Sequence, residues 1–285
     1  MGSGYMKRGF LFLIGGAEDR KREKHVLKHL VEQTHPKNII IVPTASAYPQ
    51  DVFRSYSDAF RDLGADKIDY LAIRYRNEAD REDYLSAVDE ADLIFFGGGD
   101  QVKLVTALNH TKLFHRICER FEAGDLHIAG TSAGSAAAGN PILYSGDRRG
   151  FQKGSIKYSE GFGLIDGVAI DTHFSTRRRL ARLCQLLISG HCRKGIGLDE
   201  DTGILVYPDL HFRVIGSGMV TIVNSSHVSG SSYHAAADGD MLRFNNMHVG
   251  CLPAGTLFSL KKWSILNRVR HSKSNLRPTL EAVSI

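Results

Sequence analysis

Short apolar runs alternate with amphipathic segments throughout the first half of the chain. We predict strands at the apolar runs 10–14, 39–42, 68–73, 93–96 and 126–129. Between them, apolar residues recur at helical spacing in the segments 23–33, 52–63, 84–88, 102–108 and 113–121. Strands that alternate with helices predict an α/β fold with a mostly parallel central sheet and helices on both of its faces.

Glycines follow three of these predicted strands, at Gly15-Gly16, at Gly97-Gly98-Gly99 and at Gly130. In open α/β sheets, ligands bind beyond the carboxyl ends of the strands. We therefore expect the three glycine-bearing ends to line one edge of the sheet, where a functional site would lie.

The pattern changes after residue 195. The runs 203–207, 212–215, 219–223 and 241–244 are short and strand-like, with turn residues between them. They predict a β-rich C-terminal portion that extends the same sheet. No break in composition separates the halves, so we expect a single α/β domain over residues 7–265. We interpret residues 1–6 as a cloning remnant and 266–285 as a polar C-terminal tail.

The composition excludes several function classes. The 285 residues are 42% hydrophobic and 24% charged, as in a globular protein with a sizeable core. The formal net charge of +5 comes mostly from basic residues interleaved with acids, so we expect no nucleic-acid partner. The four cysteines form no C-x-x-C pair, and no apolar run approaches the length of a membrane span. We expect a cytoplasmic protein that needs neither metal nor cofactor.

Residues Gly130-Thr131-Ser132-Ala133-Gly134 form a G-x-S-x-G pattern at the end of a predicted strand. A serine on such a strand-to-helix turn presents its hydroxyl above the sheet, where it can act as a nucleophile. Glycines flank the serine because neighbouring backbone comes too close for side chains. The same pattern also occurs in ordinary turns, and this chain contains 29 glycines, so both interpretations stay open.

A serine nucleophile needs a base, and the base needs an orienting carboxylate. Among 13 histidines, His173 is favoured because it follows the apolar run 164–170 and precedes a predicted helix. It lies level with Ser132 if the two strands are parallel neighbours. The alternative is a solvent-facing histidine at a helix entry.

The candidate carboxylates are Asp199, Glu200 and Asp201, which follow a further apolar run. The residues alone do not choose among the three, and a solvated acidic loop is the alternative. The backbone amides of Gly98, Gly99 and Ala133 are candidate donors to an oxyanion. A phosphate cradle is less favoured, because the sequence has neither a G-x-G-x-x-G nor a P-loop lysine pattern.

Three arginines, Arg177, Arg179 and Arg182, follow the candidate base. On a helix Arg179 and Arg182 share a face, and Arg177 lies near the first turn. Guanidinium groups beside a base histidine would suit a substrate that carries carboxylates. A solvated basic helix face is the alternative.

Together these segments resemble the cyanophycinases, the serine-peptidase group that also contains the aspartyl dipeptidases. The motifs occur in the family's order, and the similarity runs from about residue 9 to residue 260. They are LIGGAED at 13–19, GGDQ at 98–101, GTSAG at 130–134, D-x-H-F at 171–174, R-x-R-x-x-R-L at 177–183 and GIGLDEDT at 195–202.

The resemblance implies a fold related to class I glutamine amidotransferases, with serine in place of their cysteine, and a homodimer. It implies hydrolysis of cyanophycin, a poly-aspartate backbone with arginine on each β-carboxyl, to β-aspartyl-arginine dipeptides. Ser132 would be the nucleophile, His173 the base and Glu200 the orienting carboxylate, with an oxyanion hole formed by Gly99 and Ala133. The positions that match the substrate pocket are Gln101, Asp171, Arg177, Arg179 and Arg182.

The chain departs from the family at Thr172, where glutamine is common. The shorter side chain lacks an amide that can both donate and accept, which affects substrate specificity more than the chemistry. Two alternatives follow. One is an aspartyl-dipeptidase-like or isopeptide hydrolase of short acidic peptides, and the other is a non-catalytic binding protein on the same fold.

Overall fold

The computed structural model describes residues 8–146, 149–268 and 280–282. The helices are α1 (His25–Thr34), α2 (Pro49–Asp62), α3 (Arg76–Ala79), α4 (Glu82–Glu90), α5 (Gln101–Leu108), α6 (Lys112–Ala123), α7 (Ala133–Ala137) and α8 (Leu180–Ile188). The strands of the first half are β1 (Leu11–Ile14), β2 (Asn38–Val42), β3 (Lys67–Tyr70), β4 (Leu93–Phe96), β5 (His127–Thr131), β6 (Gly139–Asn140) and β7 (Ile142–Leu143). The later strands are β8 (Tyr158–Ser159), β9 (Ile165–Asp166), β10 (Val168–Thr172), β11 (Lys194–Leu198), β12 (Thr202–Val206), β13 (His211–Gly216), β14 (Met219–Asn224), β15 (His248–Pro253), β16 (Leu257–Ser259), β17 (Ser264–Arg268) and β18 (Leu280–Ala282).

The large sheet has the strand order β18-β17-β16-β13-β12-β1-β5-β4-β2-β3 within the described residues. Strands β1 to β5 are parallel, as the alternating pattern predicts. The strands from β12 to β18 in this sheet are antiparallel. The predicted α/β class is therefore confirmed, and part of the C-terminal portion extends the central sheet as expected.

A second sheet, with the order β10-β11-β14-β15, was not expected from the sequence. The run 219–223 forms β14 in this sheet rather than in the central one. The predicted strand at 241–244 is wrong, because the structure has only an isolated bridge at Met241 and places the next strand at β15. Strands β10 and β11 are parallel to each other, and the other pairs are antiparallel.

Alternating side chains of the central strands separate two hydrophobic layers. Phe12 and Ile14 face a layer that includes α1 and α2. Leu11 and Leu13 face the opposite layer, which contains α4 to α7 and one face of the second sheet. The other face of the second sheet is covered by α8. The predicted helices on both faces of the central sheet are thus present, and the second sheet shares one face with them.

The last two described strands overlap the range 266–285 that the sequence predicts to be a polar tail. Strand β17 continues to Arg268 and pairs antiparallel with β18. Residues 269–279 and 283–285 lie outside the described residues, as do residues 1–7 at the start, so the expected cloning remnant is not described.

Candidate active site

Ser132 lies on a sharp turn between β5 and α7, as the G-x-S-x-G pattern predicts. Its backbone has φ 50° and ψ −110°, a conformation that is rare for a residue with a side chain. The turn is tight on both sides. A Cβ built on Gly130 would lie 2.6 Å from the carbonyl carbon of Gly134, and one built on Gly134 would lie 2.3 Å from the carbonyl oxygen of Phe96. Glycine is therefore required at both flanks.

Ser132, His173 and Glu200 form a continuous chain of contacts. The Oγ of Ser132 lies 2.9 Å from Nε2 of His173, and Nδ1 of His173 lies 2.7 Å from Oε1 of Glu200. With Nδ1–H donating to the carboxylate, Nε2 is left to accept the serine proton. This arrangement can activate a hydroxyl for attack on a carbonyl carbon.

The neighbouring acids Asp199 and Asp201 have other hydrogen-bond partners. Asp199 accepts hydrogen bonds from the amides of Ser175, at 2.9 Å, and Met219, at 3.2 Å. Asp201 accepts from the hydroxyl of Ser217 at 2.7 Å. Glu200 is the one of the three whose carboxylate contacts the imidazole.

The second sheet brings His173 and Glu200 together. Strands β10 and β11 are parallel, with Thr172 opposite Leu198. The residues that follow the two strands therefore emerge at the same edge, with His173 on one side and Glu200 on the other. Ser132 comes from the central sheet, so it is not on a parallel neighbour of the strand that carries His173.

The last residue of β1 and the two glycines after it join the two sheets at this edge. The successive carbonyls of Ile14, Gly15 and Gly16 accept hydrogen bonds from the amides of Ser132, His173 and Asp201, each at 2.9 Å. One short piece of backbone thus contacts Ser132, His173 and the residue after Glu200.

The glycine turn before α5 lies beside the serine. A Cβ built on Gly98 would lie 3.3 Å from Cβ of Ser132. The carboxylate of Asp100 caps α5 by accepting from the amide of Val102 at 2.8 Å, and its own amide donates to Ala45 at 2.9 Å. Within the described part of the chain, the amides of Gly99 and Ala133 donate to no protein acceptor.

The predicted substrate-binding residues separate into buried and exposed sets. Asp171 and Arg182 are 1% and 2% exposed, and the guanidinium of Arg182 donates to both carboxylate oxygens, at 2.7 and 2.6 Å. Arg179 is also buried and donates to Asp171 at 3.2 Å. Thr172 is buried at the end of β10, and Arg177 is exposed.

Gln101 is half-buried at the start of α5, and its side-chain amide donates to the carbonyl of Leu143 at 2.7 Å. The hydrogen bonds from Arg179 and Arg182 compensate the charge of Asp171 inside the protein. The sequence could not reveal this pairing, because Asp171 and the two arginines lie on different elements.

The cysteines do not offer a second nucleophile in the interior. Burial raises the pKa of Cys184 to about 12 and that of Cys192 to about 11. For Cys118, burial followed by the charge of Glu122 raises the pKa to about 11. A thiol with such a pKa is almost wholly protonated at neutral pH and is a poor nucleophile.

None of the helices in the described residues is long and apolar enough to cross a bilayer. No group of three or more His, Cys, Asp or Glu side chains in residues 8–146, 149–268 or 280–282 is arranged to hold a metal ion.

Comparison with known proteins gives the family. Residues 11–213 match the model of peptidase family S51. The chain belongs to peptidase family S51. A cyanophycinase from Synechococcus elongatus is 31% identical to this S51 peptidase over 264 residues, which cover 92% of the chain and 82% of the relative. A cyanophycinase from Geminocystis herdmanii is 33% identical over 257 residues, which cover 89% of the chain and 94% of the relative.

A solved structure also resembles this S51 peptidase. The crystal structure of a peptidase from an acI-B1 actinobacterium superposes with a TM-score of 0.68 at 25% identity. The match covers 90% of this chain and 98% of that one. The expected family and enzyme class are therefore confirmed, and the protein is a peptidase.

Gly16 gives a direct test of the contact with the base. It has φ 97°, and a Cβ built there would lie 2.5 Å from Cε1 and Nε2 of His173. The methyl group must displace either the loop or the imidazole. We expect Gly16→Ala to lower the second-order rate constant for labelling by a fluorophosphonate probe by about 100-fold, since a small misplacement of a catalytic group has effects of this size.

Gly64→Ala is the matched control for Gly16→Ala. Gly64 also has a positive φ, 89°, but a Cβ there would meet nothing within 4 Å. Its variant should lose some stability and keep the labelling rate constant within about two-fold. An equal loss in both variants would assign the effect to backbone strain rather than to the contact with His173.

Proposed function

We propose that this S51 peptidase is a serine exopeptidase that hydrolyses cyanophycin to β-aspartyl-arginine dipeptides through an acyl-enzyme. The chain of contacts from Ser132 Oγ through His173 to Glu200, at 2.9 and 2.7 Å, is the observation that supports the chemistry. The named activity of the relatives at 31% and 33% identity supports the substrate.

The proposed reaction is acyl transfer to water. Ser132 attacks the carbonyl carbon of an α-peptide bond in the aspartate backbone, and His173 takes the serine proton as the new C–O bond forms. Glu200 stabilises the imidazolium. His173 then protonates the leaving amine as the C–N bond breaks. It next takes a proton from water as the water attacks the ester, and it returns that proton to Ser132 Oγ when the ester C–O bond breaks.

The oxyanion hole in this proposal consists of the amides of Gly99 and Ala133. Gly99 lies on the glycine turn before α5, and Ala133 is the first residue of α7, directly after Ser132. Because neither amide donates to a protein acceptor within the described residues, both are available to the negative charge of the tetrahedral intermediate.

The exposed and the buried residues of the predicted substrate pocket have different roles in this proposal. We propose that the exposed guanidinium of Arg177 pairs with a substrate carboxylate and that Gln101 contributes a polar contact at the start of α5. Asp171, Arg179 and Arg182 are proposed to act on the substrate through the shape and charge of the wall they form, since mutual pairing holds them in place.

A second candidate substrate is a short acidic peptide, such as an Asp-X dipeptide or an isopeptide. The observation that favours it is Thr172, which stands where the cyanophycinases commonly have glutamine. A non-catalytic binding protein receives no support, because the chain belongs to a peptidase family.

Digestion separates the two candidate substrates. The purified protein is incubated with cyanophycin and, separately, with Asp-X dipeptides, and the products are read by mass spectrometry. We expect β-aspartyl-arginine from the polymer and none from the Ser132→Ala variant. Cleavage of dipeptides with an intact polymer would select the second candidate. Probe labelling of Ser132 without hydrolysis of either would refute both substrates but not the nucleophile.

The homodimer and the cytoplasmic location are further proposals that rest on the resemblance. Sedimentation equilibrium of the full chain would test the homodimer, and a monomer at micromolar concentration would refute it.

A further inference from the structure

Glu18 carries a buried carboxylate that the proposed reaction does not use. It lies in the segment that follows β1 and is 3% exposed. The hydroxyl of Thr131 donates to its Oε2 at 2.8 Å, and the hydroxyl of Tyr56 donates to its Oε1. Thr131 is the last residue of β5 and directly precedes Ser132, whereas Tyr56 lies on α2.

The environment of Glu18 is built for a carboxylate. The pKa of Tyr56 is raised well above its usual range, mainly by burial and secondly by the charge of Glu18. The hydroxyl of Tyr56 therefore stays protonated and can donate. The guanidinium of Arg20 lies 5.1 Å from the centre of the Tyr56 ring. A carboxylate is removed from water at a large free-energy cost unless donors replace the water, and here two hydroxyls do so.

The segment that carries Glu18 contacts two residues of the proposed triad and the neighbour of the third. The carbonyls of Ile14, Gly15 and Gly16 accept from the amides of Ser132, His173 and Asp201. This backbone can place the triad only if it is itself held in place. Beyond β1, the amide of Gly15 donates to the carbonyl of Thr202 at 2.8 Å, and the amide of Asp19 donates to Asp201 at 3.3 Å. The carboxylate of Glu18 adds the contacts with Thr131 on β5 and Tyr56 on α2.

We propose that Glu18 is a positioning residue for the triad. It fixes the segment 14–19 to the end of β5 through Thr131, and so sets the distance between the hydroxyl of Ser132 and the imidazole of His173. This inference rests on the proposed function, in which Ser132 is the nucleophile. Glu18 contacts neither the hydroxyl of Ser132 nor the imidazole, so it acts through the backbone and not on the substrate.

Thr131→Val tests the link with the least disturbance. Valine keeps the shape of threonine and removes the hydroxyl that donates to Glu18. We expect the second-order rate constant for fluorophosphonate labelling of Ser132 to fall about 10-fold or more, because the serine and imidazole lose their alignment. Thr131→Ser keeps the donor and should restore the rate constant to within about three-fold of the parent, because the aligning contact is retained.

Thr34→Val is the matched control. Thr34 is a buried threonine on α1 whose hydroxyl also donates at 2.8 Å, to the carbonyl of Leu30. The same substitution there should lower the melting temperature and leave the labelling rate constant unchanged. A merely structural role for Glu18 would make Thr131→Val behave like Thr34→Val.

Glu18→Gln tests the charge itself, at constant side-chain length. We expect a loss of labelling similar to that of Thr131→Val, with a native near-UV circular dichroism spectrum. If Glu18→Gln does not fold, Thr131→Val and Thr131→Ser still decide the question. Labelling within about two-fold of the parent in folded Thr131→Val would overturn the inference. It would show that the hydrogen bond from Thr131 to Glu18 does not align the serine and the imidazole.

A separate variant distinguishes the two proposals. If the probe still labels Ser132→Ala, the proposed nucleophile is wrong. If labelling requires Ser132 but is unchanged in Thr131→Val, the nucleophile stands and the positioning role of Glu18 is refuted.

Discussion

Replacing Ser132 by alanine should lower kcat for peptide hydrolysis by about 10⁴- to 10⁶-fold, the range seen when a serine nucleophile is removed from a triad. The fold should be retained. The side chain of Ser132 bonds to His173, and the imidazole keeps its second partner, Glu200, in the variant. The loss is measured by steady-state kinetics on cyanophycin, together with fluorophosphonate labelling.

Ser57→Ala is a control for this substitution. Ser57 is buried on α2, and its hydroxyl has no hydrogen-bond partner among the residues that the structure describes. Removing that hydroxyl should leave both kcat and stability at parental values. Turnover by Ser132→Ala at the rate of Ser57→Ala would mean that another group performs the attack.

The second large effect concerns stability. Arg182→Ala should lower the free energy of unfolding by about 3–5 kcal/mol, since it leaves a buried carboxylate without its main partner. Asp171 and Arg182 are almost fully buried, and the guanidinium contacts both carboxylate oxygens. Arg179 retains one contact with Asp171, at 3.2 Å, which limits the loss. Urea unfolding followed by circular dichroism measures the change.

Arg54→Ala provides the comparison for Arg182→Ala. Arg54 pairs with Asp51 at 2.7 Å, but its side chain is 71% exposed. A solvent-exposed pair contributes about 1 kcal/mol or less, so this variant should unfold at nearly the parental urea concentration. If Arg182→Ala instead raises KM without a loss of stability, the arginine binds substrate, as the sequence pattern suggested, and is not chiefly a partner of Asp171.

Local sequence patterns were sufficient to predict the parallel strands of the central sheet and the sharp turn at Ser132. The apolar runs that became β1, β2, β4 and β5 are short, continuous and followed by turn residues, which is a strong signal for buried parallel strands. The glycines around Ser132 reflect close backbone contacts within one turn. Each of these features is encoded within a few neighbouring residues.

The second sheet and the choice of Glu200 depend on distant contacts. The runs that form β10 and β11 have the same apolar character as the central strands, so nothing in them specifies a separate sheet. Asp199, Glu200 and Asp201 differ in where the backbone directs each side chain after β11, and their identities do not reveal this. Glu18 was visible only as one letter of a motif, because its partners, Tyr56 and Thr131, lie 38 and 113 residues away.

In the proposed triad, the hydroxyl and its base come from different sheets of the molecule. β5 carries Ser132 in the central sheet, while β10 and β11 carry His173 and Glu200 in the second. A fragment ending before β10 would therefore contain an inert alcohol, and one beginning there would contain a histidine–carboxylate pair with nothing to deprotonate. The proposed reactivity therefore requires both sheets, because it depends on how the second sheet is aligned with the central one.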